Sequence, residues 1–112
     1  MRDLQLKIND DLKKYVEDVK AVHNGVRYHF QFENGMCANV IKHDFSYGGD
    51  EDLWELAILR SDGQLYYCQL VNFDVLGYLT DKDVEILLKC IKKGLFNVKF
   101  SIIMKVIEML GA

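Results

Sequence analysis

Proline is absent from the 112 residues and tryptophan occurs once. A chain without proline is not expected to carry a long structureless linker or a proline-rich recognition tail. Cysteine is sparse: Cys37, Cys68 and Cys90 are odd in number, widely spaced and without a C-x-x-C pair. A disulfide scaffold is therefore not expected, and buried free thiols are. Long apolar runs are missing as well. No stretch reaches the ~18 uncharged apolar residues that span a bilayer, and the opening MRDLQLKINDDLKK lacks the apolar region of a signal peptide. The expectation is a cytoplasmic protein with no membrane contact.

Positive charge is short in the middle of the chain. Residues 26–74 carry three basic side chains (Arg27, Lys42, Arg60) against eight acids, whereas residues 75–112 carry six lysines and four acids. The net charge is −3. A nucleic-acid-binding domain usually shows clustered arginines with interleaved aromatics, so direct nucleic-acid binding is not expected. What is present is a soluble-domain balance, 50% hydrophobic and 28% charged, at a length that forms one domain with its own core.

Hydrophobic periodicity divides residues 1–112 into three parts. In INDDLKKYVEDVKAV, Leu12, Tyr15, Val16 and Val19 recur at helical spacing behind an Asn9 cap, which predicts a helix over about 10–18 and an N-terminal helical part over 1–20. Val26, Tyr28, Phe30 and Phe32 then alternate with Arg27, His29, Gln31 and Glu33, as in a strand with one apolar face. Asn24-Gly25 and Asn34-Gly35 flank it as hairpin turns. MCANVIK, LWELAILR and, after the Ser61-Asp62-Gly63 turn, QLYYCQLV read as further strands, and KAVH before Asn24 is placed to pair on the other side as a fifth, giving a sheet over 20–74. Over 80–112 the pattern is helical. TDKDVEILLKCIKKG has a capping box, an apolar stripe and a terminal glycine. In LFNVKFSIIMKVIEMLGA eleven residues are large and apolar, and a helix is predicted over about 98–110. The fold class expected is α+β: an antiparallel β-meander of four to five strands, with one N-terminal and two C-terminal helices packed mainly on one face.

No catalytic constellation emerges. His23, His29 and His43 lack zinc-site spacing, and Cys37 paired with His43 needs an activated thiol that a strand position does not supply. Gly48-Gly49-Asp50-Glu51-Asp52 shares its first four letters with the GGDEF signature of nucleotide cyclases, but this chain is too short for that domain. The same acids lack the alternating ligand spacing of a calcium loop. No catalytic residue, metal site or cofactor is expected.

The densest chemistry lies in HDFSYGGDEDLWELAIL, residues 43–59. Asp44, Asp50, Glu51, Asp52 and Glu55 fall within twelve residues and can steer a basic surface. Tyr47 and Trp54, with Phe45, Tyr66 and Tyr67, supply aromatics of the kind that anchor interfaces. The partner-binding residues expected are Asp44, Tyr47, Asp50, Glu51, Asp52, Trp54 and Glu55. The apolar tail has more hydrophobic surface than one side can bury, so Phe100, Ile103, Met104, Ile107 and Leu110 are candidates for a homodimer interface.

Phe45-Ser46-Tyr47-Gly48-Gly49, Leu56-Ala57-Ile58-Leu59 and Gly77-Tyr78-Leu79-Thr80, within residues 20–92, resemble a family of small, mostly uncharacterised proteins encoded by bacteriophages and prophages. The resemblance carries no catalytic residues. It implies a viral accessory protein working in the cytoplasm of a bacterial host. With the acidic middle, the expectation is a non-enzymatic protein that binds and modulates a host protein. An anti-defence, anti-CRISPR-like inhibitor of a nucleic-acid-binding host protein is one version. The alternatives are a structural homo-oligomer built through the C-terminal helix, and a small ligand-binding protein with a pocket between sheet and helices.

Overall fold

The computed structural model describes residues 2–111. Five antiparallel strands follow chain order: β1 (Val16–Val22), β2 (Gly25–Gln31), β3 (Cys37–Lys42), β4 (Trp54–Leu59) and β5 (Leu76–Leu79). They are joined by three helices, α1 (Asp10–Lys13), α2 (Asp81–Lys93) and α3 (Phe100–Met109). The α+β meander read from the sequence is the fold. No helix among the described residues is long and apolar enough to cross a membrane.

One face of the sheet makes the core. Phe30 stands opposite Ala38, Ala38 opposite Ile58, and Val40 opposite Leu56, so alternation sends this set to one side. Val84, Leu87, Leu88 and Ile91 of α2 close over them, joined by Leu6, Ile8 and Leu12 from the N-terminal segment and by Leu70 and Val71. The other face is largely polar, with Arg27, His29, Gln31 and Asn39 in register.

The N-terminal helix is shorter than the pattern predicted. Asn9 does cap it, its side chain accepting from Asp11 N–H, but the helix ends at Lys13. Residues 16–22 form β1 instead of the second half of a helix over 10–18. Val16, Val19 and Val22 are three apart, a helical spacing, but they are β-branched, and a bulge after Val16 brings Val16 and Val19 to one face. Pairing also satisfies the outer backbone groups of β2 that a helix here would leave to water. The sheet thus runs from 16 to 79, not from 20 to 74.

The first hairpin also shifts by one residue. Its loop is His23-Asn24, both with positive φ (43° and 60°), and Gly25 is already in β2. Gly25 is required for another reason: a Cβ there would run into the Lys42 carbonyl and His43. QLYYCQLV does not make a strand. Leu59 and Leu65 share an isolated bridge, Tyr66 N–H donates to the Ile58 carbonyl at 2.8 Å, and a 3₁₀ turn over Gln69–Val71 drops Leu70 and Val71 into the core. The place beside β4 goes to β5.

Both C-terminal helices form. Thr80 and Asp83 complete the capping box of α2, and Gly94 closes it with φ 74°. By contrast α3 has no fully buried residue. Thr80→Ala is expected to lower stability by about 1 kcal/mol, measured by urea denaturation, because the Asp83 N–H at the start of α2 loses the Thr80 Oγ1 that accepts from it.

Candidate functional site

The stretch from His43 to Asp52 is an ordered loop closed by two cations from elsewhere in the chain. Lys42, the last residue of β3, lies on the core side and is almost fully buried. Its Nζ donates to the Asp3 carbonyl at 2.7 Å and to Asp52 Oδ1 at 2.8 Å, and stands 4.2 Å from the centre of the Trp54 ring. Arg2 holds the other side. Its Nε donates to the Gly49 carbonyl at 2.9 Å, and its Nη1 is 2.7 Å from Asp44 Oδ1. Its Nη2 donates to Asp50 Oδ1 at 3.2 Å. Asp3 N–H donates to Asp52 Oδ1 at 2.8 Å. Inside the loop, Ser46 Oγ accepts from His43 N–H, and Tyr47 N–H donates to Glu55 Oε1.

Of the expected partner-binding residues, four are thus already engaged. Asp44, Asp50 and Asp52 pair with Arg2 and Lys42, and Glu55 ties the loop to β4. Glu51 is exposed. Trp54, expected as an interface anchor, is core: it is 1% exposed, and its Nε1–H donates to Asp81 Oδ1 at 2.9 Å. The signal for this was in the sequence, because Trp54 shares its phase with Leu56 and Ile58, the inward residues of β4.

Tyr47 does face outward. It lies where two segments cross at backbone contact. Tyr78 N–H donates to the Tyr47 carbonyl at 3.1 Å. A Cβ on Gly77 would strike the Tyr47 Cβ, and a Cβ on Gly48 would sit 2.9 Å from the Tyr78 Cα. Tyr78 itself holds φ 58°, a left-handed conformation costly for an aromatic residue. Tyr47-Gly48 and Gly77-Tyr78 therefore form one crossing, in which each glycine makes room for the tyrosine strand opposite. Both rings are turned to solvent, 58% and 57% exposed, and Phe45 of the same loop is 76% exposed. The Phe45 ring rests edge-on against His23, 5.0 Å between centroids, and its N–H donates to His43 Nδ1 at 3.0 Å. Sequence reading left Tyr78, Arg2 and Lys42 out of the site. Gly77-Tyr78 stood out as a motif, but its meeting with Tyr47-Gly48 depends on tertiary pairing.

The remaining chemistry is quiet. Burial pushes the Cys37, Cys68 and Cys90 thiols up from 9.0, which disfavours the thiolate a nucleophile needs. Among the described residues no pocket opens between sheet and helices, the feature that a ligand-binding alternative calls for. Among the same residues no three His, Cys, Asp or Glu side chains are grouped to hold a metal.

The candidate interface on α3 is divided. Phe100 and Ile103 pack against this chain's own core. Met104 and Ile107 are half-buried, and Leu110 is exposed with Ile102, Val106 and Met109. Compared with family models, with curated proteins and with solved structures, the chain matches none.

Three shifts in the loop share one direction. The Asn24 amide and Arg2 hold the Asp44 carboxyl below its ordinary 3.8, and the Lys42 ammonium and the Asp3 N–H do the same for Asp52. Burial, helped by His23, holds His43 below 6.5. In each case the unfolded chain binds the proton more readily, so stability rises with pH. Urea denaturation is expected to show a first loss of stability as pH falls below 6.5 and a second below 3.8. His43→Asn, whose side-chain oxygen can still accept from Phe45 N–H, should remove the first step and leave the second.

Proposed function

We propose that this chain is a non-enzymatic binding module, of the kind a phage uses to modulate a host protein, and that Phe45, Tyr47 and Tyr78 are its anchors. The single observation that carries the reading is that three large aromatic side chains stand in solvent on a loop and crossing that are themselves rigidly held. A stable chain gains nothing from displaying them, and Tyr and Phe in a pre-organised setting give large contact area for little ordering entropy. The partner fits as a protein with an apolar pocket rimmed by basic side chains, matched to the rings and to Asp50 and Glu51 beside them.

Inhibition of a nucleic-acid-binding host protein is the specific version suggested by the acidic middle. Mimicry by unpaired carboxylates has little support, since Asp44 and Asp52 are ion-paired from within to Arg2 and Lys42, which leaves only the outer acids, Asp50 and Glu51, turned to solvent. The acids serve this reading better as a rim that speeds encounter, with the aromatics holding the complex. The host-cell cytoplasm is the compartment this function would need.

A second reading, self-association through α3, has its own observation: Ile102, Val106, Met109 and Leu110 are exposed on a helix that buries nothing fully. Ile102→Glu with Val106→Glu should convert a dimer to a folded monomer, read by sedimentation, and no change in mass would end that reading.

The anchor reading is tested by affinity capture from bacterial lysate, followed by titration calorimetry with the purified partner. Tyr47→Ala is expected to weaken binding roughly 30-fold, a hot-spot loss of about 2 kcal/mol. Asp50→Lys with Glu51→Lys should mainly reduce the association rate and its salt dependence. A partner bound equally well by a Phe45, Tyr47, Tyr78 triple alanine variant would defeat the proposal.

A further inference from the structure

β1 is an edge strand, paired with β2 on one side and, among the described residues, with nothing on the other. Its sequence, VEDVKAV, is exposed at Glu17, Val19, Lys20 and Ala21. An open edge is a template for another strand, and proteins blunt such edges with charge and bulges. β1 has both: a bulge between Val16 and Asp18, and charges at Glu17, Asp18 and Lys20. The question is whether those charges repel every strand or select one.

Hydrogen-bond phase limits the registers available. Gln31 N–H donates to the Tyr15 carbonyl and Phe32 N–H to the Met36 carbonyl. The odd residues of β2 therefore bond toward β1, and its even residues toward β3. Asp18 and Lys20, opposite His29 and Arg27, turn their backbone groups inward to that ladder. Val19 and Ala21 turn theirs outward. A second strand can then pair antiparallel only in registers that set outward residues against outward residues.

For a second copy of the same strand, one register meets this condition and satisfies the charges. Centred on Val19, it places Val19 against Val19, Asp18 against Lys20 and Lys20 against Asp18, and the bulge ends the regular pairing beyond Asp18. A slip of two residues one way sets Asp18 on Asp18, and the other way Lys20 on Lys20, and like charges directly opposite are destabilising. Val19 is 50% exposed, and its cross-strand neighbour Tyr28 donates to the carbonyl of Leu4, another exposed apolar residue. Pairing would cover this apolar margin on the core side while the two Asp18–Lys20 pairs form on the polar side.

We propose that β1 is a homodimer edge, joining two copies into one continuous ten-stranded sheet about a two-fold axis through Val19. The charges that guard the edge against foreign strands are self-complementary in this register alone. The inference is independent of the aromatic anchors and of α3.

The test is the mass of the full chain by sedimentation velocity over a concentration series, with variants at exposed or half-exposed positions. Wild type is expected to dimerise. Val19→Lys, which sets two ammonium groups across the axis, should weaken the dimer about tenfold or more, and Lys20→Asp alone should do the same. The double swap Asp18→Lys with Lys20→Asp restores both cross-copy pairs and leaves Arg27 a carboxylate within reach, now directly opposite at position 20, so it should recover wild-type dimerisation. Val19→Cys should form an intermolecular disulfide under mild oxidation, whereas Glu17→Cys, which lies in the bulge on the His29 side of the sheet, should not. A wild-type chain that stays monomeric to roughly 100 μM overturns the proposal. So does a dimer indifferent to Val19→Lys but lost in the Ile102→Glu, Val106→Glu chain, which would place the interface on α3.

Discussion

A lysine ammonium inside a protein cannot be left alone. Removing a charge from water costs several kcal/mol unless partners replace the water. At Lys42 those partners are the Asp3 carbonyl, the Asp52 carboxylate and the face of Trp54. Each belongs to a different part of the chain: the N-terminal segment, the loop after β3, and the start of β4. Meeting the needs of one cation therefore sets the position of all three. Arg2 follows from this arrangement, since Asp3 docked on Lys42 brings Arg2 to Asp44, Asp50 and the Gly49 carbonyl. The inner acids of the loop, Asp44 and Asp52, thus answer buried positive charge, and the outer ones, Asp50 and Glu51, are left at the surface.

The same constraint explains why the exposed aromatics are held so firmly. With the loop fixed by Lys42 and Arg2, Tyr47-Gly48 is presented to Gly77-Tyr78 at backbone distance, and the glycines remove the only atoms that would collide. The left-handed Tyr78 is strain tolerated at that crossing. Polar interactions on one side of the loop thus fix apolar side chains on the other, which is the division of labour a recognition surface needs.

Features encoded locally were legible in the sequence. The capping box, apolar stripe and terminal glycine of α2 are all within one stretch, and β2, β3 and β4 show clean alternation. Only the KAVH end of β1 is legible, because its valines are spaced by three as in a helix, and the bulge and the presence of β2 that reconcile them with a strand are tertiary facts. β5 escaped because Leu76-Gly77-Tyr78-Leu79 does not alternate, and its bulged pairing with β4 is a tertiary fact. In the site, the acids and Tyr47 could be read, but their neutralisation could not. Arg2 and Asp50 lie 48 positions apart, and no spacing rule links them. Trp54 was the one avoidable error, since the phase of β4 already pointed it inward.

The meander pairs each strand with its neighbour in sequence, so its first two ladders close over short loops and each can form as the chain lengthens. The N-terminal segment follows a different schedule. Lys7 N–H donates to Asp81 and Asn9 N–H to Glu85, across 74 and 76 positions. Leu6 and Ile8 enter a core that α2 must complete. During synthesis, residues 2–9 leave the ribosome ahead of every group they will contact and must wait for α2 to emerge. Until then Lys42 lacks the Asp3 carbonyl and the loop lacks Arg2, so the strap made first is the piece that locks last.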